Sequence, residues 1–325
     1  MIRRGEEGVA LLTVLLLVAV MSALAVGVLD DIRFGLKRAA NAETVGQAQW
    51  YALGAENLAR ARLLRLNENP TRTSLAGNWN GRSVTFPIDH GAIRARVSDA
   101  TACFNLNSVV AGASEQWSRR ELGLKQFIAL LQAIGVAQLE AQALAEALAD
   151  WIDSDGNRNT LGGEDDAYMN AARPYRTSGT LLSEVSELRA LRGFTPEIYA
   201  RLRPYVCALP AADLSPINVN MLGADKAVLL TMLTDGSLQP EAARRLIQSR
   251  PSDGWPSVDA FWNLPALRDH LPSDAALDQV SLRTRFFSLE AQVDYAGGEA
   301  VLTSLFEQPA AGPAKLIARR WTIDE

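Results

Sequence analysis

The chain has 325 residues, 48% of them hydrophobic and 21% charged, with a formal charge of −5 at pH 7. Those proportions belong to a globular protein of about two domains and exclude disorder or a low-complexity fibre as its main state. The acidic balance argues against a nucleic-acid partner, and a four-ligand Cys/His zinc site would consume the two Cys and two His the chain possesses.

A short polar leader, residues 1–8, precedes an apolar run from Val9 to Leu29 with only Thr13 and Ser22 as hydroxyl breaks. As a helix that run is about 31 Å long, enough to cross a bilayer core. Ala23 and Ala25 imitate a signal-peptide cleavage site, yet the run is longer than a signal peptide's apolar core. Arg3 and Arg4 before it and Arg33, Lys37 and Arg38 after it do not choose a side of the membrane by charge. Helical spacing then continues over residues 30–66. Ile32, Leu36, Ala39, Ala40, Val45, Ala48, Ala52, Ala55 and Ala59 form an apolar stripe that Trp50, Leu53, Leu58 and Leu63 thicken. The Asn67-Glu-Asn-Pro70 stretch stops it. The expectation is one helix of roughly 58 residues, about 87 Å long, with a transmembrane part at 9–29 and an amphipathic stalk at 30–66.

Strand patterns follow at Ser83–Ile88 and Ala92–Val97, with a turn at Asp89-His90-Gly91, and at 102–108. They return at Phe286–Tyr295, Ala300–Phe306 and Lys315–Thr322, with Gly297-Gly298 as a hairpin turn. Between them Leu122–Leu148, Val185–Leu202 and Ala224–Leu233 are helical in spacing. Strands, a helical block and strands again predict an α+β domain (67–111 with 283–325) carrying an all-α domain inserted at 112–282. The insert holds two units similar to helix-hairpin-helix modules, some of which bind DNA backbone. In the second the hairpin is Leu233-Thr-Asp-Gly-Ser-Leu238, with one Gly and an Asp where a phosphate-binding hairpin is Gly-rich. A packing module is the reading this favours.

The stretch from Asp150 to Asp166 is dense in acids and amides. Calcium takes six to eight oxygen ligands, and Asp153, Asp155, Asn157 and Glu164 fall at positions 1, 3, 5 and 12 of an EF-hand count. Position 6 is Arg158 rather than Gly, so a calcium loop here has another geometry; the alternative is a solvated acidic loop. His90 and His270 have no recognisable nucleophile motif beside them, and no acid–base constellation accompanies the loop, so the chain is not read as an enzyme.

A polar leader ending in Gly8 with an uninterrupted apolar helix after it resembles a type IV prepilin signal. The resemblance implies cleavage after Gly8 by prepilin peptidase and N-methylation of Val9. Most pilins carry Glu at the fifth mature position; here it is Thr13. That departure, the chain's size, and the phrases Cys103-Phe-Asn-Leu-Asn, Asp150-Trp-Ile-Asp-Ser-Asp155 and Glu187-Leu-Arg-Ala-Leu-Arg-Gly193 are similar to the minor pseudopilin K family of type II secretion systems. The fold implied is pilin-like: a long N-terminal helix packed on an antiparallel sheet, with a large all-α domain inserted between strands.

The resemblance also implies a structural calcium in the helical domain. Asp153, Asp155, Glu164 and Asp166 are the expected ligands, with Asp150, Asn157, Asn159 and Asp165 as further donors; Asp150 can instead face the preceding helix. It implies a single pass through the cell inner membrane with the head in the periplasm, where Cys103 and Cys207 would oxidise to a disulfide; two buried free thiols are the alternative. The function implied is a minor pseudopilin at the pseudopilus tip that initiates its assembly and supports export of folded proteins across the outer membrane. Its partners would be minor pseudopilins I and J and then the major pseudopilin filament, with secreted substrates as further contacts and no nucleic acid. The competing readings are a minor pilin of a type IV pilus and a membrane-anchored helix-hairpin-helix DNA-binding protein.

Overall fold

Helix α1 runs without a break from Glu6 to Leu66. The computed structural model describes residues 6–170, 173–270, 272–310 and 312–322, and of residues 6–8 only the backbone. Residues 1–5 of the expected leader therefore lie outside the described residues, and the expected cleavage point after Gly8 lies in helical backbone. After α1 come β1 (Ser83–Ile88), β2 (Gly91–Asp99), β3 (Phe104–Asn105), β4 (Val110–Ala113), β5 (Gln116–Arg119), α2 (Glu121–Ala133), α3 (Gln138–Ile152), α4 (Asp165–Met169) and α5 (Pro196–Leu202). Then follow β6 (Val206–Cys207), β7 (Ile217–Asn218), α6 (Val228–Leu233), α7 (Pro240–Gln248), α8 (Val258–Trp262), α9 (Asp274–Leu277) and β8 (Val280–Ser281). The chain closes with β9 (Phe286–Tyr295), β10 (Gly298–Glu307) and β11 (Lys315–Arg320).

The main sheet is antiparallel in the order β1-β2-β9-β10-β11, so strands from either side of the insert lie side by side. Alternation in β9 turns Phe287, Leu289, Ala291 and Val293 inward, where they meet Ala48, Ala52, Ala55 and Ala59 of α1. The small alanines let the helix lie close on the sheet. Glycine at 298 is required for the same reason: a Cβ there would stand 2.9 Å from Thr44 Oγ1 and 3.0 Å from its backbone carbon. The head covers α1 only from about Thr44 onward; Ile32 and Leu36, expected in the buried stripe, are exposed, as are Trp50 and Leu58.

One carboxylate lies inside this contact. Glu56 is 3% exposed and accepts from Arg319 Nε and Nη2, both at 2.8 Å, and from Ser304 Oγ at 3.0 Å. Burial works against its charge, but Arg319, Ser304 and Arg60 outweigh it and hold the carboxyl below its ordinary range.

The insert leaves the sheet after Asp99 and returns at Phe286; Asp99 and Phe287 are register partners. This is the end of the sheet beside Leu66, opposite the end where Gly298 meets Thr44 and the apolar segment begins. The joint is hydrogen-bonded. The buried Asp99 accepts from Thr101 N at 2.6 Å and from the hydroxyls of Thr101 and Thr284. Thr284 N donates to Thr73 Oγ1 at 2.9 Å, and Thr73 N to Leu282 O at 3.0 Å.

Three expectations change here. Phe104, Leu106, Val109 and Val110, read with the strand domain, belong to the insert's core, so the border at 111 falls later than the change of core. The physical reason is the parallel pairing of β3 with β6, which draws this stretch into the insert. The insert is not strictly all-α, since it carries the β3–β6, β4–β5 and β7–β8 ladders. The helical pattern over 122–148 divides into α2 and α3 at Gly135, whose φ of +86 ends α2 in a conformation glycine adopts freely. Cys103 and Cys207 are disulfide-bonded, with Cα atoms 5.7 Å apart and 104 positions between them. In the chain-entropy account a loop of that size is stabilising by up to about 4–5 kcal/mol.

Candidate metal centre

Helix α3 ends at Ile152 and delivers Asp153 as its last capping residue, with Asp153 N bonded to Ala149 O at 2.8 Å. The loop beyond it is pinned from outside. Ser154 N donates to Trp117 O at 3.0 Å and Trp117 N to Ser154 Oγ at 2.8 Å, which fastens the loop to the β4–β5 hairpin. At its far end Glu164 precedes α4, and Trp151, Tyr168 and Tyr175 pack ring to ring beside it, with Trp151–Tyr168 centroids 5.4 Å apart. The loop thus carries two carboxylates eleven positions apart in the sequence back to one place.

Asp153, Asp155 and Glu164 converge, each offering an oxygen within 4.8 Å of the others. Asp153 and Glu164 are only 5% and 8% exposed, and Asp153 Oδ1 and Glu164 Oε1 are buried without a hydrogen-bond partner. Burial, then Asp155 and Glu164, push the Asp153 carboxyl up to about 7; burial, then Asp150 and Asp155, push Glu164 up to about 7. Carboxyl groups so placed are costly to ionise together and have lone pairs directed at one another. A hard cation with oxygen ligands resolves both problems, and the donor set of three carboxylates suits calcium better than a softer metal. Glu115 of the β4–β5 turn, Thr177 and Gly179 line the opening. Sequence reading missed them, because Glu115 stands 38 positions before Asp153 and no local spacing connects the two.

The other expected donors have partners of their own. Asp150 is fully buried and accepts from Asn159 N at 3.1 Å and from the Asn159 side-chain amide, so it faces the helix side of the loop; burial raises its pKa. Gly162 is obligatory beside it, since a Cβ there would stand 2.1 Å from Asp150 Oδ2. Asn157 turns its N–H to Asp155 Oδ1 at 2.7 Å. Asp165 accepts from Thr177 N at 2.9 Å and lies 3.7 Å from Arg176. Asp166 lies outside the convergent group, two-thirds exposed, with Arg158 at 3.7 Å. As the second residue of α4 it pairs back to Arg158 of the loop that Glu164 closes.

The helix-hairpin-helix comparison also meets a geometric test. In the α6–α7 hairpin the N–H groups of Asp235, Gly236 and Ser237 bond to Met232 O, Thr231 O and Thr234 O, and Leu238 N bonds to Thr234 Oγ1. Those four donors are consumed by the turn itself, so the hairpin offers no backbone cradle to a phosphate.

Comparison with known proteins follows the same division of the chain. Family models described as type II secretion system (T2SS), protein K, match residues 102–211 and 217–283. The type II secretion system protein K of Klebsiella pneumoniae is 40% identical over 264 residues, 81% of each chain. Its counterpart in Pseudomonas aeruginosa is 34% identical over 325 residues, covering 98% of this chain and 93% of its own. Among solved structures, a chain of the GspK-GspI-GspJ complex from enterotoxigenic Escherichia coli superposes with a TM-score of 0.75 at 30% identity, over 87% of this chain and 98% of that one.

Proposed function

This chain belongs to the type II secretion system protein K family, and from that premise we propose that it is the minor pseudopilin at the tip of the pseudopilus, starting the filament's assembly with pseudopilins I and J. The observation that carries the tip position is where the insert sits. About half the chain is mounted on the end of the sheet beside Leu66, away from the apolar segment that begins at Val9. A subunit held in a membrane by an apolar segment like 9–29 would reach the filament from the membrane side. A bulky domain on the opposite end blocks a subunit above and leaves the approach from below free.

Thr13 supports the same reading. A buried carboxylate needs a partner charge, and a subunit with no neighbour above has none to offer it. Thr13 returns its hydroxyl to Ala10 O at 2.9 Å and asks nothing of a neighbour. Before assembly the 9–29 segment anchors the chain in the inner membrane after cleavage at Gly8 and methylation of Val9, with the head in the periplasm. An oxidising compartment fits the Cys103–Cys207 bond. Calcium held by Asp153, Asp155 and Glu164 is structural: it ties the loop between α3 and α4 to the insert.

The test is to label the insert, outside the calcium loop, with gold on sheared pseudopili. Label at one end of each filament is expected, together with a three-way complex when the head from residue 33 is mixed with pseudopilins I and J. Label spread along the filaments would overturn the tip assignment.

A further inference from the structure

The face of the main sheet opposite α1 is covered by the insert at one end. In antiparallel pairs directly opposed residues share a face. Leu305 opposes Ser288 of β9 and Ala318 of β11, so the three lie side by side, on the face away from the buried Leu289 and Phe306. Thr303 and Arg320, also opposed, form the next row toward the end where Gly298 meets Thr44. The insert overhangs these rows with residues 181–186 and 206–210. Between floor and overhang lies a cleft of about 820 Å³, with the Cys103–Cys207 disulfide in its wall. Neighbouring strands stand about 4.8 Å apart, so the floor runs about 10 Å from β9 to β11, the outermost strand, and reaches the edge of the sheet there. Ser288, Thr303 and Ala318 are small, which leaves the space above the floor open.

The cleft is cationic in a chain whose net charge is −5. Arg203, Lys226 and Arg320 line it, against Asp99 and Glu184. Asp99 is already satisfied at the domain joint by Thr101 and Thr284. Glu184 lies 3.3 Å from Arg320, which also donates to Ser183 O at 2.7 Å and so crosses from the sheet to the overhang. Lys226 is in no ion pair among the described residues. It is half-buried, donates to Pro204 O, and lies 5.5 Å from the centroid of the Tyr205 ring. Burial, opposed by Asp225 and assisted by Arg203, holds its pKa below the ordinary lysine value. A cation desolvated in this way gains from a carboxylate brought into the cleft.

We propose that this cleft is a docking site for an extended acidic segment of a partner protein. Its lining selects that occupant. Leu181, Val206, Leu305 and Ile317 suit the alternate apolar side chains of a segment in strand conformation, and the cations suit its carboxylates. The open end at β11 lets a long chain lie across the floor without threading the fold. A small anion would leave the apolar lining uncovered, and a basic segment would meet like charge. The cleft shares no lining residue with the opening of the calcium loop, and it lies on the face of the sheet away from α1, so it depends on neither.

The test titrates the full-length chain in detergent with a short fluorescent peptide of alternating glutamate and valine. Its lysine–valine counterpart and free glutamate are the controls. Saturable binding of the acidic peptide, and of neither control, is expected, and it should weaken as salt rises. Lys226→Gln should weaken it by about tenfold, and Ser288→Trp, which fills the floor, should abolish it, each without a change in melting temperature. In the unaltered chain, slower hydrogen exchange at Thr303, Leu305 and Ala318 on binding would locate the peptide without any substitution. No binding of the acidic peptide, or equal binding of the lysine counterpart, would overturn the chemistry of the site. Undiminished binding in both variants, or unchanged exchange on the floor, would overturn its place. Free glutamate binding as well as the peptide would overturn the extended segment as occupant.

Discussion

Two regions of this molecule bury carboxylates, and they solve the problem in opposite ways. Under the stalk, Glu56 has Arg319 on two hydrogen bonds, Ser304 on a third and Arg60 at 3.6 Å. In the loop after α3, Asp153 and Glu164 are equally enclosed, and the charged groups that act on them are other acids. The first region is electrically complete; in the second the counter-charge would come from the calcium proposed above, or the carboxyls keep their protons. Burial by itself therefore says nothing about metal binding. What distinguishes the sites is whether the fold supplies the counter-charge.

The largest expected effect is removal of that cation. Chelation should lower the head's stability by about 4 kcal/mol relative to a thousandfold excess of calcium over its Kd. Thermal melts with and without chelator would measure it. Asp153→Asn with Glu164→Gln should abolish the calcium dependence and raise the stability of the calcium-free protein. If chelation left the melt unmoved, the two regions would be alike after all.

Next comes Arg319→Ala, which strips Glu56 of its main partner. A loss of about 2–3 kcal/mol in urea unfolding is expected, below the range for a fully enclosed pair because Arg319 keeps 37% of its side chain in water and Arg60 remains. Calcium affinity should not change.

The two regions also titrate in opposite directions. Glu56 has a lowered pKa, so its contribution is present above its ordinary value of 4.5 and is lost as pH falls. Asp153 and Glu164 have raised values near 7 against ordinary values of 3.8 and 4.5. The unfolded chain ionises them first, so the calcium-free head should lose stability as pH rises from about 4 to about 7. Calcium has to displace those protons, so its affinity should fall as pH drops below 7. Melts across pH 4–8, with and without calcium, would show the curves converging at the acid end and separating toward neutrality.

The smallest effect sharpens the ligand set. Asp166→Ala should change calcium affinity little and stability by about 0.5 kcal/mol or less, since Asp166 is exposed and pairs with Arg158 at 3.7 Å. A large loss of affinity in calorimetry would place Asp166 in the coordination sphere and the convergent trio in doubt.

Much of the fold was legible because it is written in local patterns. The α1 helix, the Ser83–Ile88 strand and the long β9 and β10 strands follow from the spacing of apolar residues, which reports the period of the backbone. The acidic loop was legible as a cluster for the same reason. Which members converge was not, because Asp165 and Asp166 adjoin Glu164 in sequence and differ only in direction. The border of the insert escaped likewise: Phe104-Asn105 has the pattern of a strand, and only its pairing with Val206-Cys207 assigns it to the insert.

By itself the sequence determined the apolar N-terminal segment, the stalk helix, the alternation of the sheet and the presence of an acidic loop, since each depends on residues close together in the chain. Tertiary structure alone decided the partner of Glu56 263 positions away, the joining of Cys103 to Cys207, and the three carboxylates that meet. Those are contacts between distant segments, and periodicity along the chain carries no information about which segment will stand opposite.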